Sequence, residues 1–223
     1  MAVQTGEGTI EIIYGSTSIP AGPQTLSGYL ARPDGEGEWP TVLVFGPRPV
    51  PQSSVKNICR VFARHGISAL APDVTDSHES NALTATRVAR FISDPTGEWS
   101  NAQFGFGVLA FGQGIFDASR LAYGDGRVVA IASVGSRLDE DVVDELSTAQ
   151  IPALWIGSRA DESVDVDASI AAKEVLPQTT YVVHTDVGEG FWDDGADGFD
   201  EAIATDTLDR LIGFFGAELP PRV

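Results

Sequence analysis

The stretch VLAFGQGIFDASRLA, Val108–Ala122, decides the fold. It opens as a run of apolar residues, breaks at Gly112-Gln113-Gly114, and continues directly into a helical pattern over Ile115–Tyr123. Strand, tight turn and helix follow one another with no linker. Ala110 and Gly114 flank the central Gly112 by two positions on each side. Small flanks at that distance are what a strand–turn–helix elbow requires, because bulkier ones collide in so tight a turn. The elbow lifts its central residue above the sheet.

Outward from the elbow, strand and helix signals alternate. Upstream, Pro40–Phe45 (PTVLVF) reads as a strand buried on both faces. Ser53–His65 reads as an amphipathic helix stopped by Gly66, Ile67–Ala71 as a strand closed by Pro72-Asp73, and residues 81–93 as a helix. Phe104–Ala110 is the strand that enters the elbow. Downstream, Val128–Val134, Pro152–Gly157 and Thr179–His184 read as strands, with helices over Asp139–Leu146, Val166–Val175 and Phe199–Phe215. Ahead of all these, Thr9–Tyr14 and Leu26–Ala31 predict two short strands around the turn-rich segment 15–23. Eight strands, with crossover helices from the third onward, predict an α/β fold: a mostly parallel sheet flanked by helices, in one domain over residues 1–223. Such sheets carry their sites at the carboxyl ends of strands. The loops after Phe45, Ala110, Gly157 and His184 are therefore the ones to read.

Composition excludes several classes. The 43% hydrophobic content of the 223 residues is that of a folded domain, not of a disordered or fibrous chain. No apolar run approaches the roughly 18–20 residues of a membrane-spanning helix, and the first residues lack the pattern of a secretory signal. A soluble, cytoplasmic protein is the expectation. The single Cys59 leaves no internal disulfide or multi-cysteine metal site, and reads as a buried helix residue. The net charge is −18, and 20 of the 32 acidic residues but only 5 of the 14 basic ones follow Arg127. So acidic a surface repels phosphate backbones, so no nucleic-acid partner is expected. A solvated face is favoured over a docking surface.

Four segments together resemble the dienelactone hydrolase family of α/β-hydrolases, and the likeness covers most of the chain. PTVLVF…FARHGISALAPDV (Pro40–Val74) is similar to the family's strand–helix–strand segment ending in Pro-Asp, and Val108–Ala122 to its nucleophile elbow. PALWIGSRADESV (Pro152–Val164) is similar to the strand and loop carrying the acid, and DVGEGFWDD (Asp186–Asp194) to the loop carrying the histidine. The resemblance implies an eight-stranded α/β-hydrolase fold. Only Asp73 to Phe104 separates the fourth and fifth strands, so the cap is minimal and the cleft open. It implies triad positions at 112, 161 and 189. The family has Cys or Ser at the elbow centre, where this chain has Gly112. The acid is kept as Asp161. The family's histidine precedes a Gly-Phe pair, and here Glu189 precedes Gly190-Phe191. A family Glu after the third strand is replaced by Pro47, followed by Arg48.

These replacements bear on chemistry. Covalent acyl transfer needs a hydroxyl or thiol, which glycine lacks. The base must take and return a proton near neutral pH, which suits imidazole better than a carboxylate. An oxyanion pocket from the Gln113 backbone N–H and an amide near Arg48 is what survives. Ser158, at the end of the acid-bearing strand, is a further candidate for contact with a ligand, against the ordinary reading of a turn serine. Ser133 and Ser136 read as turn serines. His184 is still on its strand and expected to point away from the elbow, His65 closes a helix, and His78 sits in a polar loop. The acids at 186, 189, 193, 194, 197 and 200 lack the ligand order of a calcium loop, so neither metal nor cofactor is implied.

Arg48 and Glu189 carry opposite charges at positions where the family keeps catalytic groups. They read either as an ion pair closing the pocket or as ligand-binding groups, against an Arg48 that simply faces solvent. Three functions compete. The first is a catalytically silent protein that binds a ligand or partner. The second is a hydrolase of small esters or lactones using carboxylate-activated water. The third is a subunit whose acidic half docks on a basic protein partner. The resemblance implies a small carboxylate, ester or lactone as ligand.

Overall fold

The apolar runs assemble into a sheet of β1 (Ile12–Ala21), β2 (Gln24–Pro33), β3 (Thr41–Phe45), β4 (Ser68–Pro72), β5 (Phe106–Phe111), β6 (Val128–Val134), β7 (Ala153–Ser158) and β8 (Thr179–His184). The computed structural model describes residues 8–22, 24–47, 53–74 and 81–223. The strand order is β1-β2-β4-β3-β5-β6-β7-β8. β2 runs antiparallel to both β1 and β4, and every other neighbouring pair is parallel. Parallel neighbours need crossovers, and α1 (Ser53–Arg64), α2 (Asn81–Ile92), α3 (Ile115–Gly124), α4 (Glu140–Ala149) and α5 (Val166–Ala171) supply them. α6 (Glu201–Glu218) follows the last strand.

Helices cover both faces, which is why β3, β4, β5 and β7 are buried at every residue. Successive side chains alternate between two cores. Leu43, Val108 and Ala110 face a cluster that includes Val88 and Ile92 of α2, Leu121 of α3 and Val142 of α4. Val44, Leu109 and Phe111 face the opposite cluster, with Val55 and Phe62 of α1 and Leu211 and Phe215 of α6. The Phe62 and Phe215 rings meet edge-on at 5.8 Å and tie α1 to α6. Strand order also separates the two halves of the sequence: β1 to β4 fill one end of the sheet, and β6 to β8, from the acid-rich half, fill the other. No helix among the described residues is long and apolar enough to cross a membrane.

The opening hairpin differs from the sequence reading. The turn-rich segment after Tyr14 is strand, and β1 pairs continuously from Ile12↔Pro33 to Ala21↔Gln24. An edge strand tolerates this composition, because Pro20 and Gly15 interrupt no ladder on the open side. The bend falls at Gly22, with φ +73°. The last helix starts at Glu201 rather than Phe199, because the Asp200 side chain caps it by accepting from Ile203 N at 3.0 Å. The expected helix over Val166–Val175 is α5 followed by a 3-10 turn at Ala172–Glu174.

Candidate functional site

The elbow forms as its residues require. β5 ends at Phe111, a 3-10 turn covers Gly112–Gly114, and α3 begins at Ile115. Any Cβ at Gly114 would collide with the Phe45 carbonyl, so the turn lies hard against the end of β3. Gly112 adopts φ +51°, in the left-handed region that L side chains enter only under strain. Space is not what excludes a side chain there. The nearest heavy atom to a Cβ built on Gly112 is the Gly135 carbonyl oxygen, at 4.0 Å. The elbow has the geometry that exposes a nucleophile, and no nucleophile on it.

Above the elbow lies a cleft of about 790 Å³. Gly112 and Gln113 line it from the turn after β5, Pro47 from just past the end of β3, Asp161 from the loop after β7, and Glu189 and Trp192 from the loop after β8. The structure thus brings together four of the residues read from the sequence: Gly112, Gln113, Asp161 and Glu189. Arg48, and with it the Arg48–Glu189 pair, lies outside the described residues, as does His78.

Asp161 is 3% exposed and is held by its own turn. Its Oδ1 accepts from the Ser163 backbone N–H at 2.9 Å and from the Ser163 hydroxyl, while its own N–H donates to the Ser158 carbonyl. Glu189 is exposed at the cleft, and its carbonyl packs so closely on Gly198 that no side chain fits at 198. Next to it, Phe191 is fully buried and anchors the loop, while Trp192 stacks on Phe111 with ring centroids 4.0 Å apart and 31° between planes. Trp192 therefore seats directly on the residue that leads into the elbow.

Ser158 does not reach the cleft, contrary to the expectation that it contacts a ligand. It is fully buried, its hydroxyl donates to the Val187 carbonyl, and it accepts from the Ala160 N–H at 3.3 Å. Its inward register on β7 commits it to bracing the 186–188 segment. Ser133 and Ser136 are buried and line no part of the cleft either. His184 is the last residue of β8 and also lies outside the cleft wall. Its ring meets Phe191 at 5.5 Å, and its buried Nε2 has no hydrogen-bond partner among the described residues. Burial lowers its pKa below the usual histidine value; nearby Asp206 and Asp200 oppose the shift, and Arg210 reinforces it. His65 Nδ1 bonds the Val61 carbonyl at 2.9 Å, at the end of α1. Cys59 is fully buried, which pushes its thiol up to about 12. Among the described residues, no three His, Cys, Asp or Glu side chains converge on a possible metal position.

Three wall residues carry no recognised signal in the sequence: Gly135, Arg137 and Trp192. Gly135 and Arg137 enter the cleft from the loop after β6, which sequence reading had not included among the informative loops. Gly135 turns the chain with φ +58°, tied by its N–H to the Ile156 carbonyl at 2.9 Å, and Arg137 follows as an exposed cation. Its one available signal is position, since β6 is parallel and β5's direct neighbour. Trp192 stands in a loop that the sequence does single out, but as a lone aromatic beside the more telling Gly190-Phe191 it gave no signal of its own.

The strand order, the elbow at Gly112 and the loop-borne Asp161 define the fold of an α/β-hydrolase. No family model matches the chain. A Methylorubrum extorquens protein named as a carboxymethylenebutenolidase is 24% identical, over 92% of this chain and 81% of its own length. A Klebsiella pneumoniae structure named as a dienelactone hydrolase superposes with a TM-score of 0.81 at 20% identity, covering 92% of this chain and 99% of that one. The Anabaena variabilis dienelactone hydrolase gives 0.76 at 18% identity, covering 94% and 99%. The chain therefore shares the fold of these neighbours named as dienelactone hydrolases.

Proposed function

We propose that this chain is a ligand-binding protein on a hydrolase scaffold, without the covalent chemistry of the esterase fold. The observation that carries this reading is Gly112. The elbow presents its central residue to the cleft, and that residue has no atom able to attack a carbonyl. Glu189 stands where a proton-transferring imidazole is expected, and His184 is turned onto Phe191 outside the cleft. The cleft volume of about 790 Å³ falls within the roughly 300–1,000 Å³ of small-molecule sites.

A small ester or lactone is the ligand we propose, by likeness to the named neighbours. Of the free carboxylate and the uncharged ester, the walls favour the ester. Among the described residues, Asp161, Glu189, Asp193 and Asp197 line the cleft with one cation, Arg137. Arg137 and the Gln113 backbone are the groups available to a carbonyl oxygen.

The second reading is a hydrolase that activates water with carboxylates alone. It is favoured by one observation: Asp161 and Glu189 line the same cleft as the open elbow. Turnover of short p-nitrophenyl esters by the purified protein, with Asp161→Ala and Glu189→Ala variants alongside, separates the two. Rates equal to buffer in all three proteins support ligand binding without catalysis. Turnover that disappears in either variant overturns it in favour of the second reading.

A further inference from the structure

Trp192 is a wall of two cavities. Besides the cleft, it lines a much smaller one between α1 and α6, together with Ser54, Phe111, Phe199, Thr207 and Leu211. Two hydroxyls there are out of the ordinary. Ser54 is 4% exposed and Thr207 2%, and neither side-chain oxygen has a hydrogen-bond partner among the described residues. A helical threonine commonly returns its hydroxyl to the carbonyl four residues back. Thr205, on the same helix, does so, donating to the Glu201 carbonyl at 2.8 Å. Thr207, two residues on, leaves that local partner unused. Ser54, in the first turn of α1, likewise has no partner among the described residues and lines the same cavity.

Buried polar side chains are almost always satisfied, by protein or by ordered water. The cavity leaves about 30 Å³ for the centre of a water molecule, where one water needs roughly 10–15 Å³. It therefore has room for one or two waters and for no organic ligand. A buried water needs two to four polar partners. Ser54 and Thr207 supply two, and Asn57 and Asp194 line the same space. We infer that this cavity is a binding site for ordered water, which joins the first turn of α1 to the middle of α6 and holds the Trp192 wall of the cleft from behind. The inference is independent of whether the cleft performs catalysis.

Two measurements on the full chain test it. In a crystal structure at about 1.5 Å or better, water is expected within hydrogen-bonding distance of both Ser54 Oγ and Thr207 Oγ1. In thermal melts, Ser54→Ala and Thr207→Val are each expected to lower Tm by roughly 2–4 °C. The double variant should lose clearly less than the sum, because both changes remove the same water. A dry cavity overturns the inference. So does an unchanged or higher Tm in Thr207→Val, which is what replacing an unpaired buried hydroxyl by a methyl produces. Additive losses also overturn it, since two independent hydroxyls then replace one shared site.

Discussion

The elbow at residues 110–114 and the loop at residues 185–200 meet across one cleft, and they are built differently. In the elbow, Ala110, Phe111 and Gly114 are buried, and Gly114 has no room for a methyl group. The loop is anchored by Phe191, while Asp186, Glu189, Asp194 and Asp197 are exposed. Its hydrogen bonds are mostly short-range, such as Asp193 N to the Gly190 carbonyl and Gly195 N to Asp193 Oδ1. The elbow therefore has a flank, Gly114, too tight for any side chain and a centre, Gly112, that is open and carries none. Shape and chemistry are encoded separately: the first by positions where a Cβ cannot fit, the second by the side chain at one open position.

Three experiments sharpen or break this contrast. The largest effect is expected from Gly112→Cys, which puts a thiol at the open elbow facing the cleft. Iodoacetamide should alkylate it roughly a hundredfold faster than the native Cys59, whose thiol is buried and pushed up to about 12. Peptide mass spectrometry over a time course reads both sites in one sample, and equal rates would mean the elbow is not open. Next come Gly114→Ala and Gly112→Ala, compared by urea denaturation. Gly114→Ala must push against the Phe45 backbone and should cost about 3 kcal/mol, whereas Gly112→Ala meets only the left-handed backbone penalty of about 1–2 kcal/mol. Equal losses would dissolve the distinction between flank and centre.

The smallest effect concerns His184, on the strand that leads into the loop. Its pKa is lowered in the folded protein, mainly by burial, so the unfolded chain binds more protons at mildly acidic pH. The resulting stability is fully present above the usual histidine value of about 6.5 and is lost as pH falls through the lower folded value. Asp206, Asp200 and Arg210 are the charged groups acting on it. Subtracting the melting profile of His184→Phe from that of the native protein should leave a term that rises with pH up to about 6.5 and is flat above. A term that falls with pH would show that the imidazole is charged when folded.

Much of this was legible in the sequence for physical reasons. PTVLVF, FGVLAF and ALWIGS read as strands because helices bury both their faces, which forces continuous apolar runs. Ala110 and Gly114 marked the elbow because only small residues fit it. β1 was shortened in the sequence reading because an edge strand needs no such run, and Gly15, the serines and Pro20 mimic a turn. In the site, the elbow centre Gly112 follows from its small flanks, and Asp161 and Glu189 from the resemblance of the segments that carry them. Ser158 was misread because register, not composition, turns its hydroxyl inward. Arg137 became visible only when strand order put the β6 loop beside β5, and Trp192 only through its stacking on Phe111.

The division of the sheet between the two halves of the sequence has an electrical consequence. An imbalance along the chain becomes an imbalance in space, with most of the negative charge carried by the half that supplies β6 to β8. The surface around β6 to β8 is therefore expected to be the more negative one. On a positively charged resin or electrode the molecule should align rather than adsorb at random, held by the β8 end with the β1–β2 hairpin outward, and salt should release that orientation within the Debye length of the surface.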